Sequence, residues 1–236
     1  MTSSGANVCI QAVVLAAGRG ARMGALTERQ PKCLCALAGR PILAWTLDAL
    51  RANGVERVLA IGGWRHELLV DWVDQVIVNN RWEQSNMVRS LLLADEWLNK
   101  GPTLIVYGDG AYGARAICAA LQGGGDLCLP VDRRWLSLWN RRFADPLCDA
   151  ESLRTLDGRL TNIGQRPSAL HDIDAQFMGS VAREFLGMGS HYALVARLRK
   201  GIRQCGGRSP GHHRFAASSR RRRRDDLLHR CRGRLG

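Results

Sequence analysis

Lysine is almost missing from this chain, with three residues in 236 against 31 arginines. Aromatic residues make up 6% of it. No apolar run approaches the roughly 20 residues that a membrane-spanning helix needs, so neither a transmembrane span nor a membrane partner is expected. The opening MTSSGAN reads as a short polar lead rather than a signal peptide, and the expected location is cytoplasmic. Cys33 and Cys35 are separated by one residue, and no second pair stands at zinc-finger spacing. Several of the eight cysteines (Cys9, Cys118, Cys128) lie in apolar stretches, so buried free thiols are expected. No internal repeat and no Ser-His-Asp arrangement stands out.

The net charge of +13 suggests a nucleic-acid binder until it is located along the chain. Residues 201–236 hold eleven arginines and two aspartates, so nine of the thirteen net charges lie there. The first 200 residues are nearly balanced, and their apolar content is ample for a core. One domain over 8–200 is therefore expected, followed by an Arg-rich tail without regular packing. The tail reads either as a basic arm for nucleic acid or anionic lipid, or as the product of a shifted reading frame.

Residues 13–43, VVLAAGRGARMGALTERQPKCLCALAGRPIL, carry the densest chemical signal. Val13, Val14 and Leu15 read as a buried parallel strand. Gly18 and Gly20 allow a tight bend that brings backbone N–H groups close to a ligand. Arg19, Arg22 and Lys32 place cations around that bend, and a compact ammonium kept in an arginine-favouring chain points to a polyphosphate site. A P-loop is excluded, because no Gly-Lys-Ser/Thr follows. The dinucleotide fingerprint is excluded too, since Gly18, Gly20 and Gly24 are spaced one residue too long.

Further on, strands alternate with helical stretches, which implies an α/β fold with a mainly parallel sheet. Helices are predicted over 41–52, 64–72 and 87–98, the last capped by Ser85 or Asn86. Strands are predicted over 58–61, 76–78, 104–107 and 127–131, with a hairpin around Leu156-Asp157-Gly158-Arg159 and a return to the sheet at Phe177-Met178-Gly179. Asp109 follows a strand directly, where open α/β sheets bind ligands, and is either a metal ligand or a turn residue.

Leu15 to Met23, Leu26-Thr27 and Pro31-Lys32 resemble the signature of nucleotidyltransferases of the MobA-like and sugar-nucleotide type, with Ala21 replacing the usual small hydroxyl residue. NNRWEQSNMVRSLLLA, VDRRWLSLWNRRFADPLCDAESL and IDAQFMG extend the similarity toward bacterial phosphocholine and 2-aminoethylphosphonate cytidylyltransferases over roughly residues 10–182. The resemblance implies a Rossmann-like three-layer α/β/α sandwich and Mg²⁺-dependent transfer of CMP from CTP to a small phosphorylated or phosphonate acceptor. It implies that Leu15, Ala16, Ala17, Gly18 and Gly20 bind the nucleotide, and that Asp109 holds the metal. Arg22 is then expected to draw charge onto the leaving pyrophosphate, and Lys32 to stabilise the α-phosphate or the acceptor. By the same analogy Ser85 and Asn86 lie near the base or ribose; a plain helix cap is the alternative.

Trp135 and Trp139, four apart on a helix, can present rings to an ammonium, with Asp132, Asp145, Asp149 and Glu151 as nearby carboxylates. The alternative is that both tryptophans are core. The family's C-terminal E-x-D motif, which carries the second metal ligand, has no counterpart, since Asp225-Asp226 follows five arginines. Three other functions stay open: a sugar-1-phosphate nucleotidyltransferase using UTP or dTTP, a catalytically impaired nucleotide binder, and a nucleic-acid binder acting through the tail.

Overall fold

The computed structural model describes residues 9–123 and 127–183. In chain order the strands are β1 (Ile10–Ala16), β2 (Ala36–Leu37), β3 (Arg40–Pro41), β4 (Val55–Gly62), β5 (Gln75–Val78), β6 (Thr103–Tyr107), β7 (Leu127–Cys128), β8 (Val131–Asp132), β9 (Leu153–Leu156), β10 (Arg159–Ile163), β11 (Gln176–Phe177) and β12 (Ser180–Arg183). The helices are α1 (Ile42–Ala52), α2 (Met87–Leu92), α3 (Asp95–Leu98), α4 (Ala114–Gln122) and α5 (Trp135–Arg142). Six strands form the main sheet in the order β5-β4-β1-β6-β12-β7. The first four run parallel, and β12 enters antiparallel beside β6. This is the mainly parallel α/β sheet expected from the strand–helix alternation.

Period-two alternation sorts the strand residues into two cores. Ala12, Val14, Val58, Ala60, Leu104 and Val106 face one side, where Leu43 and Leu50 of α1 and Ile117 of α4 pack on them. Val13, Leu59, Ile61 and Ile105 face the other side, against Leu91 of α2 and Trp97 and Leu98 of α3. Both faces of β1 are thus covered by helices, which is why its sequence is a continuous apolar run. The single polar interruption, Gln11, is buried, and its amide donates to Trp97 O at 2.6 Å and Thr103 Oγ1 at 3.0 Å.

Three expectations are corrected. Residues 64–72 form only a short 3₁₀ turn, His66–Leu69. Arg65 before it has φ 51° in the left-handed region, and Leu68, Val70 and Trp72 are exposed instead of forming one buried face. The stretch 87–98 is two helices, broken by a turn at Leu93 and Ala94. The strand expected over 127–131 is cut by Pro130, which has no N–H to donate: β7 joins the main sheet, while β8 pairs antiparallel with β11. The hairpin forms as expected, with φ 50° at Asp157 and 72° at Gly158 turning β9 into β10. The Arg-rich tail, Asp225-Asp226 and the 200/201 boundary lie outside the described residues.

Candidate active site

The site lies at the C-terminal ends of three adjacent parallel strands, β4, β1 and β6. After β1 the chain passes through Ala17, Gly18, Arg19 and Gly20 into a 3₁₀ stretch, Ala21–Thr27, rather than a regular helix. Gly24 breaks that stretch with φ 55° and ψ −128°. Gly20 (φ 72°) makes the bend, and a side-chain carbon on it would sit 3.1 Å from Lys32 Cβ. Gly18 is exposed, and a carbon added there would meet nothing within 4 Å. Among the described residues the N–H groups of Gly18, Arg19 and Gly20 have no backbone acceptor. Buried Thr27 ties the loop together, its hydroxyl shared between Gly20 O and Gly24 O, both at 3.2 Å.

Asp109 comes from the turn after β6. Gly108 N–H donates to Leu15 O at 2.9 Å, and a carbon on Gly108 would sit 3.0 Å from that oxygen and from Ala16 Cβ, so a larger residue would crowd the turn against β1. The turn is also tied to α1, where the buried Thr46 hydroxyl donates to Gly110 O at 2.8 Å. Lys32 Nζ then lies 2.8 Å from Asp109 Oδ2, joining two groups 77 residues apart in sequence. Oδ1 of Asp109 has no partner among the described residues. Mg²⁺ is usually held by one or two carboxylates together with substrate phosphates, and an exposed carboxylate beside the loop fits that donor set. No cluster of three or more His, Cys, Asp or Glu side chains gathers among the described residues, so phosphate oxygens would have to complete the shell.

The surroundings hold neutral groups. Burial pushes the Tyr107 hydroxyl up to about 12, helped by the negative charges of Glu151 and Asp109. Burial raises Tyr112 as well, and its hydroxyl donates to Gly179 O at 2.6 Å. Burial likewise raises the thiol of Cys33 to about 12, leaving it a neutral neighbour of Lys32. Arg22 is exposed and has no ion-pair partner among the described residues.

The other candidate residues are placed as follows. Leu15, Ala16 and Ala17 form the end of β1 and the start of the loop. Ser85 Oγ accepts from Asn79 Nδ2 at 2.7 Å, and Asn86 Oδ1 accepts from Arg89 N at 3.0 Å, which caps α2. Trp135 is buried in a small separate cluster with Ala150 and Ile173, its ring edge-on to Trp139 at 5.8 Å. The Arg142 guanidinium covers Trp139 at 5.3 Å, and Asp132 Oδ1 accepts from Arg134 N at 2.7 Å. The structure thus brings Arg22, Lys32, Asp109 and the glycine loop to one edge of the sheet, and gives Asn86, Trp135 and Asp132 local packing or capping partners.

Trp64 escaped the sequence reading. It follows Gly62-Gly63 at the end of β4, and its indole N–H donates to Thr27 O at 2.9 Å. Arg19 and Arg65 lie 4.9 and 5.4 Å from its ring. The Gly-Gly pair that ends β4 was its only signal.

The family model of the MobA-like NTP transferase domain matches residues 12–214. The chain is 29% identical over 180 residues to the CTP:phosphoglutamine cytidylyltransferase of Campylobacter jejuni, a match that takes in 72% of this chain and 71% of that protein. It is 30% identical over 103 residues to the 2-aminoethylphosphonate cytidylyltransferase of Lancefieldella rimae, covering 42% of each. The solved structure of the inositol-1-phosphate CTP transferase from T. maritima shares the fold, with TM-score 0.63 and 21% identity over 84% of this chain and 82% of that one.

Proposed function

The chain belongs to the family of MobA-like NTP transferase domains, and we propose that it transfers CMP from CTP to a small acceptor, releasing pyrophosphate. The acceptor carries a phosphate or phosphonate at one end and an amine at the other, as phosphocholine and 2-aminoethylphosphonate do. The observation that carries this reading is the 2.8 Å pairing of Lys32 with Asp109 beside the glycine loop. It joins a cation suited to phosphates with a carboxylate suited to a metal, at the edge where open α/β sheets bind ligands. The relatives named for CTP and for phosphorylated or phosphonate acceptors support the choice of nucleotide and acceptor.

In the transfer, an acceptor oxygen attacks the α-phosphorus in line. The bond from that phosphorus to the bridging oxygen breaks, and pyrophosphate leaves with the electron pair. The open N–H groups of Gly18, Arg19 and Gly20 face the triphosphate. Arg22 follows the charge onto pyrophosphate, and Lys32 stabilises the charge gathering around the α-phosphate. Mg²⁺, held by Asp109 and phosphate oxygens, would neutralise the triphosphate. The acceptor's amine end has its candidate partners in Asp132 and the partly exposed Trp139, behind which Trp135 is buried as packing, with Ser85 and Asn86 nearer the base.

The test is a matrix of CTP, UTP, dTTP and GTP against phosphocholine, 2-aminoethylphosphonate and glucose 1-phosphate, on the full chain. It is read by pyrophosphate release and product mass. CTP with an amine acceptor is the expected pair. Turnover of UTP or dTTP with the sugar phosphate would replace it with the sugar-nucleotide reading. Nucleotide binding without any turnover would make the chain a binder.

A further inference from the structure

We propose that Trp64 is a positioning residue for the triphosphate loop, fastening both of its ends and aiming the Arg19 cation at the phosphates. This rests on the reading of residues 17–27 as the triphosphate loop.

Trp64 meets that loop in three ways. Its backbone N–H donates to Ala17 O at 3.0 Å, extending the β4–β1 ladder past the paired residues. Its indole Nε1–H donates to Thr27 O at 2.9 Å. These two carbonyls are the first and last of the loop, so one residue closes it across its mouth. The ring then carries the Arg19 guanidinium at 4.9 Å, and Arg19 lies between the two glycines whose amides stay open.

The approach is possible because the preceding residue is glycine. A carbon on Gly63 would sit 2.5 Å from Ala17 O and 2.6 Å from Trp82 Cβ. Trp82 in turn buttresses the Trp64 ring at 5.9 Å. An exposed arginine loses rotamer freedom on binding an anion, and stacking on a fixed ring removes much of that freedom before the ligand arrives. Arg65, at 5.4 Å from the same ring, is already paired with Glu67 Oε1 at 3.4 Å, which leaves Arg19 as the cation the ring presents. An anionic ligand of several charges, such as a triphosphate, is what this arrangement suits.

The experiment compares Trp64→Phe, Trp64→Leu, Arg19→Ala, Arg19→Lys and the Trp64→Leu/Arg19→Ala double variant in the full chain. Amide exchange across residues 17–27 is read without ligand, and KM for CTP and kcat are read separately. Trp64→Phe keeps the ring and loses one hydrogen bond, so KM should rise about fivefold with kcat within about twofold. Trp64→Leu should raise KM further and speed exchange across the loop. Arg19→Ala should raise KM severalfold in the parent chain but by less than about twofold beside Trp64→Leu, and Arg19→Lys should restore part of the loss. Unchanged loop exchange in both Trp64 variants, or a full Arg19→Ala effect in the Trp64→Leu chain, overturns the proposal. Exchange is read on unliganded protein, so a parent chain that turns over no nucleotide would sink the transfer reading while the exchange data still judge the clamp.

Discussion

Replacing Lys32 by alanine sets a small structural loss against a large chemical one. The Lys32–Asp109 pair spans 2.8 Å, but its side chains remain 33% and 46% exposed. An ion pair this open to water contributes about 0–1 kcal/mol to folding. Alanine also keeps Cβ, the Lys32 atom nearest the bend at Gly20. The variant should therefore lose about 1 kcal/mol at most, or roughly 2–4 °C in Tm for a domain of this size. Catalysis obeys a different scale. Removing one group that stabilises charge developing in the transition state costs about 10²–10³ in kcat, roughly 2.7–4 kcal/mol.

The assay pairs initial rates of pyrophosphate release at saturating CTP with a thermal melt of the same sample. A hundredfold fall in kcat beside a Tm shift of a few degrees is the expected result. Lys32→Arg should recover activity only in part, because a planar guanidinium does not reproduce a compact ammonium. A kcat within about tenfold of the parent would refute the role given to Lys32. So would a melt lowered far beyond that range together with the rate, since the loss would then be structural.

Other perturbations probe the neighbours. Asp109→Asn should cut kcat at least about a hundredfold and raise the Mg²⁺ concentration needed for half-maximal rate; full activity would remove Asp109 from the site. Thr46→Val leaves Gly110 O without its 2.8 Å donor and should cost about 1–3 kcal/mol in urea unfolding, with Thr46→Ser restoring it; no loss would show that the bond does not secure the turn. Burial alone would raise the Asp74 carboxyl, but the Val58 N–H at 2.7 Å and Arg51 at 3.1 Å outweigh it and hold the group below its ordinary 3.8. A carboxyl lowered by folding adds stability above its unfolded value, and that stability is lost as pH falls through the folded one. Asp74→Asn should therefore be less stable than the parent at pH 7, with a gap that narrows as pH falls below the ordinary 3.8 and closes beneath the folded value. A gap that does not narrow as pH falls would refute the assignment.

What the sequence made legible follows the range of each signal. The glycine loop with Arg22 and Lys32 is a local pattern, readable within twenty residues, and Asp109 sits where a strand end is plainly marked by Gly108 and Gly110. The roles of Trp64, Thr46 and Tyr112 are defined by partners 37, 64 and 67 residues away, so no local pattern announces them. The helix expected over 64–72 failed for a related reason. Its apolar spacing suits a helix, yet Arg65 takes a left-handed backbone and the chain makes one short turn before running into β5 instead of propagating. Trp135 and Trp139 do share a helical side as their spacing predicts, but only the folded chain reveals that Ala150 and Ile173 come to cover one of them.

Glycine at 63 and at 108 has one cause, and it lies in the strand order. With β1 between β4 and β6, the chains leaving its two neighbours must cross its C-terminal end at backbone distance. A side chain at 63 would strike Ala17 O at 2.5 Å, and one at 108 would crowd Leu15 O at 3.0 Å. The floor of the site is therefore backbone packed on backbone, held by Trp64 N–H to Ala17 O and Gly108 N–H to Leu15 O. Those two bonds place Trp64 and Asp109 on opposite sides of the loop that carries Arg19 and Arg22. A register slip of one residue between β1 and either neighbour would exchange the residues that face the two cores and move one side of the site away from the loop. The apolar alternation that buries Val13 and Val14 on opposite faces is thus also what sets Lys32 against Asp109.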